Sequence, residues 1–197
     1  MSNVKKLRSD EAYQLKITLK QVKPPVWRRI LVPADMKLND LHKVFQTTMG
    51  WTNSHLHAFR IGSAVYSVPH RGDYTPVSDS RKARLNALVK KPKQKFFYEY
   101  DFGDGWEHEI VLEKILPEGS TAKLPVCVAG KRHCPPEDCG GPWGYESLLE
   151  TLKDPDHDEY EETMEWLGGE FDPEMLDIDE INEMLREKDF GCFIIDF

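Results

Sequence analysis

The chain has 197 residues, 40% of them hydrophobic and 11% aromatic, and a net charge of −8. That is enough apolar material to bury one core without disulfides or metal. No run of about 18 apolar residues is present to cross a membrane. The start, MSNVKKLRSDEAYQL, holds no apolar stretch for a secretory signal. A cytoplasmic chain with reduced cysteines is therefore expected. The charge is unevenly spread. Residues 146–197 hold 19 acidic residues against 3 Lys or Arg, whereas residues 1–145 hold 23 Lys or Arg against 15 acidic residues. The acidic end is either a set of solvated helix faces or a mask for the basic front.

In YQLKITLKQV, Tyr13, Leu15, Ile17 and Leu19 alternate with polar residues, the pattern of a half-buried strand. Pro24 and Pro25 end it, and VWRRILVP reads as a second strand folding back on the first. Leu38, Leu41, Phe45 and Met49 then recur at helical spacing, with Asn39 as a candidate cap and Gly50 as the stop. HLHAFRIGSAVYSV returns to strand and turns at Gly62 and Ser63. Residues 69–84 form a loop rich in Pro, Gly, Ser and charge.

KFFYEYDFGDGWEHEIVLEKI is the clearest hairpin. Phe96, Tyr98, Tyr100 and Phe102 are expected on one face, and Trp106, His108, Ile110 and Leu112 on the same face of the return strand. Gly103–Gly105 makes the turn. From Tyr145 three helical stretches follow, and the apolar tail GCFIIDF is expected to dock. Strands in runs followed by segregated helices imply one α+β domain over residues 1–197. Its sheet should be mainly antiparallel, with one helix inserted early and a C-terminal group of acidic helices.

The stretch VCVAGKRHCPPEDCGGPWGY crowds Cys127, Cys134 and Cys139 together. Zinc takes four thiolate or imidazole ligands, usually including one tight Cys pair. Cys134 and Cys139 are four residues apart in between, with His133 adjoining, and His55 and His57 could arrive from a strand. The competing reading is packed, neutral thiols at a rigid corner. In that reading Gly140 and Gly141 permit the turn, and Trp143 and Tyr145 pack beneath it. His108 is expected in the core. YDFGDGWEHE lacks the flanking helices of a calcium loop, so Asp101 and Asp104 read as turn residues. Asp101, Glu107 and Glu109 could still make a carboxylate face opposite the aromatic one.

A basic segment runs from Arg71 to Lys95. Its Arg81, Lys82, Arg84, Lys90, Lys91 and Lys93 could neutralise phosphates, and Tyr74 could stack on a base. A solvated loop would look the same, and no helix-turn-helix or zinc finger accompanies it.

Together, YQLKITLKQVKPPVWRRILVP, DLHKVFQTTMGW, HLHAF, YEYDFGDGWEHEIVLEKI and CPPEDCGGPWGYESLLETL resemble the plasmid Ri ORF-three-like family over about residues 11–190. Its members also carry the name transposon-passenger TnpR-like. The resemblance implies a compact α+β domain associated with plasmids and mobile elements, and no particular activity. The resolvase suggested by that second name needs a nucleophilic serine backed by arginines and a helix-turn-helix tail, and neither is present. The leading expectation is a non-enzymatic binding or structural module whose partner the sequence does not name, with nucleic acid or another protein as the candidates and no membrane. The alternatives are a nucleic-acid accessory protein using residues 71–95 and a metal-dependent hydrolase built from His55, His57, Asp101 and the cysteines.

Overall fold

The computed structural model describes residues 11–69, 76–117, 123–169 and 171–193. Among them eight strands form one sheet. They are β1 (Ala12–Leu19), β2 (Trp27–Pro33), β3 (His57–Ile61), β4 (Ala64–Ser67), β5 (Ser78–Asp79), β6 (Lys95–Tyr100), β7 (Trp106–Leu116) and β8 (Val126–Lys131). The spatial order is β5-β4-β3-β6-β7-β1-β2-β8. Every neighbouring pair is antiparallel except β4 with β5, so the sheet is mixed. The helices are α1 (Leu38–Met49), α2 (Leu85–Leu88), α3 (Gly141–Lys153), α4 (Tyr160–Trp166) and α5 (Ile178–Met184), and a 3₁₀ turn covers Lys188–Gly191. This is the expected α+β architecture in one domain. None of the described helices is long and apolar enough to cross a membrane.

The period-two pattern of β1 buries Tyr13, Leu15, Ile17 and Leu19 on the face that receives α1. There Phe45 meets Tyr98 edge-on at 5.2 Å and Phe59 at 5.9 Å. The opposite face is laced with ion pairs, two between adjacent strands and two that reach across an intervening strand. Arg29 pairs with Glu113, Arg60 with Glu99 and Glu107, and Lys95 with Glu109. Glu107 and Glu109 are therefore taken up by cations, and Asp101 turns away from them.

Helix α1 begins one residue before Asn39, and its cap residue Lys37 makes no side-chain bond. Instead the first two helical N–H groups donate to Ala83 O and Ser80 O, so the segment before α2 does the capping. Gly50 ends the helix in the left-handed region, at φ 92°. Of the tail expected to dock, Cys192 is buried and Phe193 is 62% exposed, and residues 194–197 lie outside the described residues.

The hairpin corrects the expected alternation at its tip. Tyr98 faces His108 and Tyr100 faces Trp106, but Phe102 is 53% exposed rather than on their face. Asp101 adopts φ 53°, which ends the strand and swings the next side chain outward. The turn spans Asp101 to Gly105 and is closed by Gly105 N donating to Asp101 O at 2.6 Å. It is longer than the turn expected at Gly103–Gly105. Trp143 is a second correction. It is 80% exposed and does not pack under the corner, whereas Tyr145 and Leu148, on the other side of α3, are buried. A third concerns the loop at residues 69–84, which contains β5. Residues 70–75 lie outside the described set, Arg71 and Tyr74 with them.

Close backbone approach fixes the start of α3. A Cβ at Gly144 would overlap the Cys139 carbonyl oxygen, with no flexible side chain to give way. Gly144→Ala is expected to cost about 2 kcal/mol, measured by urea titration. Exposed Gly168, left-handed at φ 74° but with nothing near its Cβ position, is the comparison site, where Ala meets backbone strain alone at about 1 kcal/mol. Equal losses at both positions would contradict the steric account.

Candidate metal centre

Three chain segments converge where β6 ends. Asp101 N donates to Leu56 O at 2.9 Å, which ties the hairpin turn to the segment before β3. The Cys-Pro-Pro loop is stitched to the residues after α1. Trp51 Nε1 donates to Pro135 O at 3.0 Å, and Thr52 N donates to Glu137 Oε1 at 2.8 Å. Gly140 N donates to Asp104 Oδ2 at 3.2 Å, and Gly141 packs on the Asp104 backbone. The cysteine-rich stretch is thus a corner clamped onto the turn.

This clamping places His55, Asp101 and Asp138 together. His55 Nε2 lies 3.1 Å from Asp138 Oδ1, 3.7 Å from Asp101 Oδ2 and 3.9 Å from Glu137 Oε2. One ligand atom from each of His55, Asp101 and Asp138 lies within 4.8 Å of the others. No other trio of His, Cys, Asp or Glu among the described residues does so. Donors bound to one cation at about 2.0–2.2 Å sit roughly 3.0–3.5 Å apart, close to these separations.

The surroundings favour a cation. His55 Nε2 is enclosed but makes no hydrogen bond, despite its nearness to Asp138. A neutral imidazole presenting a lone pair to carboxylate oxygens is repelled unless a proton or a metal lies between them. Asp101 is 7% exposed. Its Oδ1 accepts from Gly103 N at 2.9 Å, leaving Oδ2 to face His55. Glu137 is held rigidly. Its Oε1 accepts from Thr52 N, Thr52 Oγ1 and Tyr100 Oη, so Oε2 is turned towards His55. Burial, and after it the Glu137 charge, pushes the Tyr100 phenol up, which keeps it a proton donor to that carboxylate. Asp138 is exposed, so the site opens to solvent.

The other sequence candidates lie elsewhere. His57 opens β3, is buried and stacks on His42 with ring centroids 3.5 Å apart, while His55 precedes the strand. The two histidines therefore do not act as a same-face strand pair. Cys127 and Cys134 are buried beside Arg28, and all four cysteines are free. Burial pushes both thiols up, and pushes Cys139 up to about 12. They are neutral thiols, and none belongs to the trio. His133 Nδ1 bonds to Cys134 O at 2.6 Å. In the basic segment Arg81 and Lys82 pair with Asp79 and Arg84 pairs with Asp35, while Lys90, Lys91 and Lys93 are exposed. Asp138 and Glu137 were not singled out from the sequence. The only sequence signal for them is their position between two prolines and a cysteine in CPPEDC.

An eight-stranded mixed sheet, covered by helices on one face and carrying this corner at one end, defines the α+β class of the protein. The profile of the plasmid pRiA4b ORF-3-like protein family matches residues 11–180, and the chain belongs to that family. It is 42% identical over 177 residues to the uncharacterized protein y4hQ of Sinorhizobium fredii (strain NBRC 101917 / NGR234), covering 88% of this chain and 90% of the relative. It also matches the crystal structure of a protein of unknown function, MM3350, from Methanosarcina mazei Go1. That match has a TM-score of 0.77 and 42% identity, over 86% of this chain and 97% of the other.

Proposed function

We propose that the protein is a binding module that holds one divalent cation at His55, Asp101 and Asp138, with Glu137 beside them. The observation that carries this reading is the enclosed, unbonded His55 Nε2 aimed at two carboxylates from distant parts of the chain. An imidazole with carboxylate oxygens suits zinc, manganese or iron(II) more than a thiolate-seeking ion. The bound ion would lock the Cys-Pro-Pro corner to the hairpin turn, with its open side available to a partner or ligand. The carboxylates, the imidazole and the rigid Tyr100–Glu137 contact all belong to this chain, so binding needs no second subunit.

Titration calorimetry with zinc and with manganese tests it. About one ion per chain should bind. Asp101→Asn and His55→Gln should each weaken binding by more than about tenfold, since even outer-shell changes cost that much. Cys134→Ser should leave binding intact, which separates this site from a cysteine site. Unsaturable binding, or binding that survives both ligand replacements, would overturn the reading.

A further inference from the structure

Arg28, on β2, is 2% exposed yet lacks a carboxylate partner among the described residues. Its neighbour Arg132 is just as enclosed but pairs with Glu174 at 2.6 Å. The Arg28 Nε donates to Thr48 O at 2.8 Å, and Nη1 donates to Trp27 O at 3.0 Å and Lys131 O at 3.1 Å. None of these bonds uses Nη2. The closing carbonyls of α1 offer about half a negative charge at most. The adjacent thiols of Cys127 and Cys134 add none, because burial keeps them protonated. A guanidinium cannot shed its proton to escape this position. A buried cation without a full counter-charge is unfavourable.

Arg28 also lines a cavity of about 240 Å³. The remaining wall is largely apolar, with Met49, Trp51, Leu176, Ile181 and Met184 around the space and Phe193 at its exposed edge. The wall's hydrogen-bonding groups are mostly engaged elsewhere. Thr47 Oγ1 donates to Phe190 O, Thr48 Oγ1 to Phe45 O and Trp51 Nε1 to Pro135 O. Asp177, which caps α5, and Glu180 on it also line the cavity and are exposed, and they repel a polyanion more strongly than a monoanion.

We infer that this cavity binds a small monoanion with an apolar body, a carboxylate of about the size of hexanoate. Its carboxylate would accept from Arg28 Nη2, and its chain would lie against Trp51, Leu176, Ile181 and Met184. An apolar pocket with one charged group to fix orientation is the usual build of a small-molecule site. This inference does not depend on the metal centre: none of that centre's proposed ligands lines the cavity, although Trp51 also braces the corner that carries them.

The test is thermal unfolding of the full chain with hexanoate or benzoate, each compared with its neutral amide. At ten times Kd the carboxylate should raise Tm by about 3–6 °C, and the amide should not. Arg28→Gln, if it folds, should raise the hexanoate Kd by about tenfold or more. Arg28 ties α1, β2 and β8 together, so that variant could fail to fold. Ile181→Trp provides the second arm. It fills the cavity and leaves Arg28 in place, and it should abolish the hexanoate shift while circular dichroism stays native. An equal shift from hexanamide, a shift that persists in folded Ile181→Trp, or no shift from either carboxylate overturns the inference.

Discussion

Trp106→Ala is expected to destabilise the protein by about 3–5 kcal/mol, the usual loss for a large aromatic removed from a core. Trp106 opens β7 opposite Tyr100, is fully buried, and lies 6.1 Å from Trp51 between ring centroids. Its Nε1 makes no hydrogen bond among the described residues. The substitution therefore removes packing alone and leaves no polar partner stranded. The cavity would open where the hairpin meets the residues after α1, and the rigid Trp51–Pro135 bond beside it limits collapse. Urea titration measures the loss. Trp143→Ala, at an exposed site, should stay within about 0.5 kcal/mol on the same scale. A loss under about 1 kcal/mol for Trp106→Ala would contradict its burial as a source of stability.

The contrast between the two tryptophans shows what periodicity can and cannot resolve. The alternation in β1, β6 and β7 was legible because one face of each strand is buried in the core and the other is polar, with ion pairs on β6 and β7 and Gln14 and Lys16 on β1. The same rule failed at Phe102, one residue beyond a left-handed Asp101, because alternation holds only while the backbone stays extended. Trp143 was misplaced because aromatic content suggested burial. The register of α3 instead turns Tyr145 and Leu148 inward, which leaves Trp143 in solvent.

The candidate centre was half legible. His55 and Asp101 stood out by residue type, but Asp101 read equally well as a turn residue, and it does make the turn. Asp138 and Glu137 had no periodic signature. They reach the site through hydrogen bonds across long sequence separations, from Trp51 to Pro135 and from Thr52 and Tyr100 to Glu137. Contacts of that kind follow from the assembled fold, which local pattern does not encode. The crowding of cysteines drew attention to the corner that also carries Glu137 and Asp138. The thiols pack, and the acids between them face the hairpin.

Stability should fall as the pH drops from about 6.5 towards 4, because two core histidines are held neutral. Burial lowers both His42 and His108 from their ordinary value to about 4. His42 sits in a closed network. Its Nε2–H donates to Asn53 Oδ1 at 2.8 Å, so Nδ1 accepts from Tyr98 Oη at 2.8 Å, and its ring stacks on His57. A second proton at Nδ1 would break the Tyr98 bond. His108 donates from Nδ1 to Tyr98 O at 3.2 Å, and its Nε2 is enclosed without a partner among the described residues.

With the folded value below the unfolded one, each histidine's contribution is complete above about pH 6.5 and is lost as the pH falls through the folded value. A difference of about 2.5 pKa units corresponds to about 3 kcal/mol per group. About 2 kcal/mol of each should be gone by pH 5. The lowered carboxyls of Asp79, Glu113 and Asp189 act in a different window, because carboxylate contributions are complete above about pH 4 and fade only below it. Urea titrations between pH 7 and pH 5 should therefore show a loss of about 4 kcal/mol attributable to histidine. His108→Gln keeps a donor for Tyr98 O but removes one titrating ring, so it should roughly halve that loss. A flat profile between pH 7 and pH 5, or an unchanged slope in a folded His108→Gln variant, would rule out buried neutral histidine as the cause.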